Sequence, residues 1–167
     1  VGLNGADGRL LAGPRKDAVR VVEDGKRKIR RGDHSGRIES VNADLLDSLF
    51  EEGYTPVVGP PMLADDGVAV NTDADRASAA VAGALGATLV SLTDVAGIYA
   101  DPDDPSTLLS RVETPAGFER LEAAAEGFMR RKVMAASEAL EAGAAGVIVG
   151  DANAEKPVRA ALDGGGT

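Results

Sequence analysis

Apolar residues follow two patterns along this chain. Short runs rich in β-branched and apolar residues at 55–59, 88–93 and 146–149 predict strands. The run at 88–93 is almost continuously apolar, which is typical of a strand in a sheet covered on both faces. Between and after these runs, apolar residues spaced i, i+3 and i+4 predict helices. The predicted helices span residues 42–53, 73–85, 115–125, 129–142 and 155–162.

Two of the predicted helices have a defined apolar face. Asn42 is a suitable N-cap for the first helix, because its side-chain oxygen can accept a hydrogen bond from a free N–H of the first turn. The apolar face of that helix comprises Leu45, Leu46, Leu49 and Phe50. In the helix at 73–85, small and apolar residues at 77, 80, 81, 84 and 85 predict the buried face.

Two turn signals predict β-hairpins. The first is Asp24-Gly25, between arms that span residues 19–30, and the second is Asp65-Asp66-Gly67, within residues 62–70. Asp-Gly between β-prone arms is a strong hairpin signal, because glycine accepts the positive φ that tight hairpin turns require.

Three strands that alternate with helices predict an α/β fold, a three-layer αβα arrangement with a mostly parallel sheet and added hairpins. The predicted strands end at Gly59-Pro60, Thr93-Asp94 and Gly150-Asp151. We expect these ends to open onto one edge of the sheet, where open α/β folds bind ligands.

Composition limits the function classes. A chain of 167 residues with 44% apolar content suits a single domain, and no apolar run approaches the roughly 20 residues of a membrane span. With no cysteine and a net charge of -9, we expect a cytoplasmic protein that binds neither nucleic acid nor membranes. The excess of Asp and Glu would also suit a protein from a high-salt cytoplasm. An ordinary acidic enzyme is the alternative explanation of this composition.

One segment has the opposite charge. Residues 14–37 contain nine Lys or Arg and four Asp or Glu, a net charge of +5 in a chain of net charge -9. This basic segment is either a docking surface for an acidic partner or a solvated hairpin. His34, the only histidine, has no second metal ligand or nucleophile beside it and is interpreted as a loop residue.

The candidate site residues favour a phosphate-binding site over a hydrolytic active site. There is no cysteine and no histidine in a hydrolytic triad context. Asp73 and Asp75 begin the helix at 73–85, where carboxylates can serve a site or simply stabilise the helix dipole. A second helix start carries Arg130, Arg131 and Lys132, and cations near the free N–H groups of a helix suit a phosphate group.

Six motifs together resemble the amino acid kinases, and most closely the branch that phosphorylates the side-chain carboxylate of an N-blocked acidic amino acid. In order, they are G-L-N-G-A-D-G at the start, G-Y-T-P-V-V at 53–58, N-T-D-A-D-R-A at 71–77, L-T-D-V-A-G-I-Y at 92–99, G-F-M-R-R-K-V at 127–133 and the final G-G-T.

The resemblance implies roles for individual residues. Asn71 would bind the amino acid, Asp75 would hold catalytic lysines, and Lys132 would neutralise the transferring phosphoryl group. The cofactors implied are ATP and Mg²⁺, with the metal bound through the nucleotide rather than by a protein metal site. The nucleotide-binding residues implied are Thr93, Asp94, Gly97, Tyr99 and Met129.

The sequence departs from the family pattern in two respects. The first is that it has no counterpart of the N-terminal lobe, which carries a glycine-rich loop and a second catalytic lysine, nor of the arginine that binds the substrate carboxylate. We therefore expect residues 1–167 to be the nucleotide-binding part of a longer homodimeric kinase, and to be inactive alone. Phe128 also stands where many relatives have a small residue.

The sequence is compatible with more than one phosphoryl acceptor. Residues 31–42, R-G-D-H-S-G-R-I-E-S-V-N, resemble the enzymes whose glutamate or aminoadipate is linked to an acidic carrier protein, whereas other relatives use free N-acetylglutamate. A non-catalytic nucleotide-binding module is one alternative. A kinase of the same fold that acts on UMP or isopentenyl phosphate is another.

Overall fold

The computed structural model describes residues 1–16, 18–23, 25–32, 34–101, 103–113, 117–119, 121 and 127–167. The chain divides into two compact units, Val1–Val81 and Ala82–Thr167. Outside two hairpins, three of the four strand pairs in the described ranges are parallel. The predicted α/β class is therefore confirmed, and the single-domain assignment stays a prediction.

The first unit contains eight short strands, one complete helix and the start of a second within its described residues. One helical turn, Asp7–Arg9, links the first two strands. The elements are β1 (Gly2–Asn4), β2 (Leu11–Gly13), β3 (Ala18–Glu23), β4 (Lys26–Arg31), β5 (Ser40–Val41), α1 (Ala43–Glu51), β6 (Val57–Gly59), β7 (Met62–Ala64) and β8 (Ala69–Val70).

Strand pairing in the first unit brings distant segments together. β1 pairs in parallel with β6, and a four-stranded sheet has the order β5-β2-β7-β8. The strands β2 and β7 are parallel, with Ala12 opposite Leu63. The core of this sheet consists of side chains that are almost fully buried: Leu10, Leu11, Met62 and Val70.

Both predicted hairpins form, but they differ in burial. In the second hairpin, Met62 of β7 is opposite Val70 of β8, and both side chains are in the core. In the first, β3 and β4 pair over six residues, yet Val22 and Ile29 are 71% and 69% exposed. Its turn residue Asp24 lies outside the described residues. The first hairpin therefore presents the apolar side chains of Val22 and Ile29 to solvent.

The predicted N-cap of α1 is confirmed. The Asn42 side chain accepts a hydrogen bond from the Leu45 backbone N–H at 3.3 Å and donates one to the Gly8 carbonyl at 2.8 Å. The apolar face is confirmed at Leu46, which is buried, whereas Phe50 is 48% exposed. The cap thus fixes both the helix start and its attachment to the turn after β1.

The helix α2 (Ala74–Leu85) forms where the sequence predicted it, but the predicted face is partly wrong. Ala84 is exposed, whereas Ala79 and Ala82 are buried. A helix made mostly of Ala and Gly has little contrast between its faces, so packing rather than periodicity decides which side is covered. Gly83 allows close packing, since a Cβ there would lie 2.4 Å from the Cβ of Ala142.

The second unit contains β9 (Thr88–Thr93), α3 (Gly127–Glu141), β10 (Gly146–Asp151) and α4 (Pro157–Leu162), with one helical turn at Pro105–Thr107. β9 and β10 are parallel and pair over six residues. Successive strand residues face opposite sides of a sheet. Val149 packs with Val133 of α3, and the next residue, Gly150, approaches Ala161 of α4. Helices therefore cover both faces of this pair.

Two further predictions concern the second unit. Residues 117–119 and 121 are helical, and the rest of the helix predicted at 115–125 lies outside the described residues. The predicted helix 129–142 begins two residues earlier, at Gly127, and ends at Glu141. No helix in the described ranges is long and apolar enough to cross a membrane.

Candidate functional site

The carboxyl ends of β9 and β10 lie side by side. Thr93 is opposite Asp151, and the Ala152 backbone N–H donates to the Thr93 carbonyl at 2.7 Å. The Thr93 hydroxyl donates to the carboxylate of Asp94 at 3.0 Å. The prediction of a shared edge is thus confirmed for these two strands. It stays a prediction for β6, which belongs to the first unit.

Lys132 lies beside this pair. It is half-buried on α3, and its Nζ is 3.4 Å from the hydroxyl oxygen of Ser91 in β9. Ser91 precedes Thr93 by two residues, so both side chains project from the same face of the strand. Ser91 was not predicted from sequence, because the contact joins residues that are 41 positions apart.

The loop after β9 is held by contacts with a distant segment. The Ile98 backbone N–H donates to the Thr167 hydroxyl at 2.8 Å, and a Cβ at Gly97 would lie 2.6 Å from the same oxygen. Tyr99 is half-buried and pairs with Leu108 in an isolated β-bridge. Gly97 is therefore required by close packing inside this unit, whatever its relation to a nucleotide.

Farther along the loop, Asp104 has a perturbed acidity. Its carboxylate accepts hydrogen bonds from the hydroxyl and the backbone N–H of Ser106, at 2.7 and 2.9 Å. These bonds, led by the one from the hydroxyl, hold the pKa of the Asp104 carboxyl below its ordinary value.

In the first unit, Asn71 is fixed through its backbone. Its N–H donates to the His34 carbonyl at 2.7 Å, and its carbonyl accepts from the Gly36 N–H at 2.8 Å. The side chain of Asn71 is exposed, whereas those of Val70 and Thr72 on either side are buried. The loop that contains His34 therefore forms one wall beside the predicted substrate-binding residue.

The two carboxylates at the start of α2 differ in their contacts. Asp73 caps the helix, since its side chain accepts from the Arg76 N–H at 3.1 Å. Asp75 is half-buried in the first turn. It belongs to the first compact unit and Lys132 to the second, so their cooperation stays a prediction.

Met129 lies in the first turn of α3, and its side chain is outside the described part of the chain. Among the described residues, no group of three or more His, Asp or Glu side chains could hold a metal ion. A cavity of about 570 Å³ in the second unit is bounded by the start of β10, by Phe118 and by residues 164–167. That cavity does not include Thr93, Asp94 or Lys132.

The positive charges of the first hairpin are on the surface. Lys26, Arg27 and Lys28 are consecutive in β4 and exposed. This hairpin pairs only with itself among the described strands. Lys26, Arg27 and Lys28 therefore place positive charge on the surface of this hairpin.

Comparisons with known proteins identify similar chains. The model of the amino acid kinase family matches residues 1–151. The LysW-aminoadipate kinase of Thermus thermophilus is 45% identical over the whole of this chain, which covers 63% of that protein. The acetylglutamate kinase of Methanopyrus kandleri is 44% identical over 86% of this chain and 57% of its own length. The chain therefore spans less than two thirds of these relatives.

A solved structure is also similar. The N-acetylglutamate synthase of Neisseria gonorrhoeae has a TM-score of 0.71 and 27% identity, and the match covers 95% of this chain and 37% of that one. This similarity spans both compact units.

Proposed function

This chain belongs to the amino acid kinase family, and from this we propose that the full-length protein phosphorylates the side-chain carboxylate of an N-blocked acidic amino acid. A carboxylate oxygen attacks the γ-phosphorus of ATP, the bond to the β,γ-bridging oxygen breaks, and the products are ADP and an acyl phosphate. The names of the relatives support a carboxyl acceptor, since they are kinases of aminoadipate and acetylglutamate, which fits lysine or arginine biosynthesis.

The position of Lys132 carries the proposal. Its ammonium is held 3.4 Å from Ser91, beside the carboxyl end of a parallel strand pair. Ligands of open α/β sheets bind outside the carboxyl ends of the strands. Phosphoryl transfer depends on positioning and charge neutralisation rather than on covalent chemistry by the protein. A fixed cation at this edge suits that requirement.

The other site residues have supporting roles in this proposal. Asp75 orients catalytic lysines by charge attraction, and Asn71 binds the amino acid. Thr93, Asp94, Gly97, Tyr99 and Met129 lie along the nucleotide. The fixed loop of Gly97 and Tyr99 supports this role, because a preformed wall binds a ligand with less ordering of the chain.

Mg²⁺ is the metal that accompanies ATP in this proposal. It prefers oxygen ligands in an octahedral arrangement and usually binds through one or two carboxylates together with substrate phosphates. We propose that the ATP phosphates hold most of the coordination sphere of this ion. Asp94, exposed beside Thr93, is a carboxylate at this edge that could assist.

We propose that the acceptor is glutamate or aminoadipate linked to an acidic carrier protein. The similarity to a LysW-aminoadipate kinase supports a carrier, and the exposed cations at Lys26, Arg27 and Lys28 supply a surface that attracts one. Free N-acetylglutamate is the second candidate, because an acetylglutamate kinase is almost equally similar.

The proposal extends to assembly and compartment. We propose a homodimeric, cytoplasmic enzyme, and the excess of 27 acidic over 18 basic residues fits a cytoplasm rich in salt. Light scattering of the full-length protein at 0.1 M and 2 M salt tests the dimer. A monomer at both concentrations contradicts it.

A panel of acceptors tests the function. ADP release by the full-length protein is measured with ATP and Mg²⁺ and, in turn, carrier-linked aminoadipate, carrier-linked glutamate, N-acetylglutamate, UMP and isopentenyl phosphate. We expect turnover only with the carboxylate acceptors, and fastest with a carrier-linked one. Turnover with UMP or isopentenyl phosphate alone overturns the proposal. Calorimetric binding of ATP without any turnover indicates a nucleotide-binding module instead.

A further inference from the structure

Three segments of the first unit form a small sheet that ends in a polar row. Arg15 pairs antiparallel with Gly36, and Ser35 pairs in parallel with Asn71. The Lys16 N–H donates to the Ser35 carbonyl at 2.8 Å, so Lys16 is opposite Ser35. Lys16, Ser35 and Asn71 are thus neighbours on three adjacent strands.

These three residues share one face of the small sheet. Residues directly opposite each other on paired strands project to the same side. The reverse side is closed, because a Cβ at Gly36 would lie 2.7 Å from the Met62 sulfur and 2.8 Å from a Val70 methyl carbon. Asn71 and Lys16 are exposed and Ser35 is half-buried. The row therefore faces solvent, with the core behind it.

We propose that Lys16, Ser35 and Asn71 form one acceptor-binding row, in which Lys16 binds a carboxylate of the acceptor that is not the one phosphorylated. The inference rests on the proposed function, in which Asn71 binds the acidic amino acid. An N-blocked acidic amino acid always retains its α-carboxylate, and an acidic carrier adds further carboxylates. Each is an anion that Lys16 can bind beside the Asn71 site, in addition to the arginine that the resemblance places elsewhere in the full-length protein.

The dimensions suit this assignment. Neighbouring strands are about 4.8 Å apart, so the Cα atoms of Lys16 and Asn71 are separated by about 10 Å. The flexible lysine stem can extend its ammonium over Ser35 toward Asn71 or away from it. Lys16 is also two residues before the first hairpin, which starts at Ala18. The row thus connects the amino acid site with the surface proposed to bind a carrier.

The neighbouring cation Arg15 supplies a matched control. It is opposite Gly36 on the other face, and its guanidinium is 3.8 Å from the Asp66 carboxylate. Arg15 and Lys16 therefore carry the same charge one residue apart but face different sides. Replacing each with glutamine separates the acceptor-facing charge from the general charge of the segment.

The test measures acceptor binding and KM in the full-length protein and in its K16Q, K16R and R15Q variants. The acceptors are N-acetylglutamate, its α-carboxamide and the carrier-linked amino acid. We expect K16Q to weaken acceptor binding about tenfold or more, the usual loss for a hydrogen bond between charged groups. The KM for ATP should stay constant, K16R should retain most of the binding, and R15Q should match the wild type.

The acceptors distinguish which carboxylate Lys16 binds. A K16Q effect on N-acetylglutamate that disappears with its α-carboxamide identifies the α-carboxylate. An effect confined to the carrier-linked acceptor identifies a carboxylate of the carrier. Unchanged binding of all acceptors by K16Q, or an equal loss in R15Q, overturns the inference. Calorimetric binding needs no turnover, so failure of the kinase proposal is recognised separately, as acceptor binding without ADP release.

Discussion

The two compact units support their candidate site residues in different ways. In the first, Asn71 lies on a small sheet made by backbone pairing of distant segments, and its side chain faces solvent. In the second, Thr93 ends a strand of a pair that helices cover on both faces, and Lys132 lies on one of those helices. The loop after β9 packs tightly on Thr167. The first residue lies on an open polar surface, whereas the second set is half-buried beside a packed core.

This difference indicates how substitutions should act. On the open surface, a side chain can be changed with little effect on packing, so its loss should appear in the binding of an acceptor. In the second unit, a substitution disturbs either the packing of the loop proposed to bind the nucleotide or the cation proposed to contact the phosphoryl group. Its effect should therefore appear in kcat or in stability.

Lys132→Ala should lower kcat by at least about a hundredfold, since a fixed cation that stabilises transition-state charge contributes about 3–4 kcal/mol. Acceptor KM should change little. The assay is steady-state ADP release by the full-length protein, with Arg159→Ala on the exposed face of α4 as control. A decrease in kcat of only a few-fold would show that Lys132 is not a catalytic residue. It would also contradict the proposed difference between the two units.

Gly97→Ala should destabilise the second unit by about 1–3 kcal/mol, because the added methyl group overlaps the Thr167 hydroxyl and must displace it from Ile98. ATP affinity should fall with it, since the same loop is proposed to line the nucleotide. Urea unfolding and calorimetry measure the two effects. Gly146→Ala is the control, because a Cβ there has no atom within 4 Å.

Reversing Lys26, Arg27 and Lys28 to Glu should raise the KM for a carrier-linked substrate several-fold at low salt. The exposed hairpin would then repel an acidic carrier instead of attracting it. The KM values for ATP and for N-acetylglutamate should stay unchanged. The effect should shrink at 1 M salt, where the Debye length is about 3 Å. Equal KM values for the carrier substrate before and after reversal contradict the docking surface.

Ser106→Ala should have the smallest effect, an upward shift of the Asp104 pKa toward its ordinary value through loss of the hydroxyl hydrogen bond. A lowered folded-state pKa contributes stability above the unfolded pKa, and this contribution is lost as the pH falls through the folded value. The variant should thus be slightly less stable than the wild type near neutral pH and equal to it in strong acid. NMR titration checks the shift, with Ser110→Ala as control.

Local signals predicted most of the elements. The Asp-Gly turns located both hairpins, and Asn42 located the start of α1. Periodicity failed in α2, where Ala and Gly on all sides gave no contrast and the exposed Ala84 was assigned to the core. Turn chemistry also could not tell the buried β7–β8 hairpin from the exposed β3–β4 hairpin, because burial depends on the strands that pack around each.

Site geometry was less predictable than the elements. Asn71 and Lys132 were singled out by resemblance, but the contacts of Lys16 and Ser91 depend on pairing between segments far apart in sequence. A lysine in a basic segment carries no local signal that distinguishes a site residue from a solvated charge. Only the register that sets Lys16 opposite Ser35 connects it to Asn71.

The most direct measurement traps the product. The full-length protein is incubated with ATP, Mg²⁺, hydroxylamine and either the carrier-linked or the N-acetylated acidic amino acid, because an acyl phosphate reacts with hydroxylamine to give a hydroxamate. We expect hydroxamate and ADP in equal amounts, only when both substrates are present, and at least a hundredfold less of both with Lys132→Ala. ADP release without hydroxamate, or hydroxamate formation that does not depend on Lys132, contradicts it.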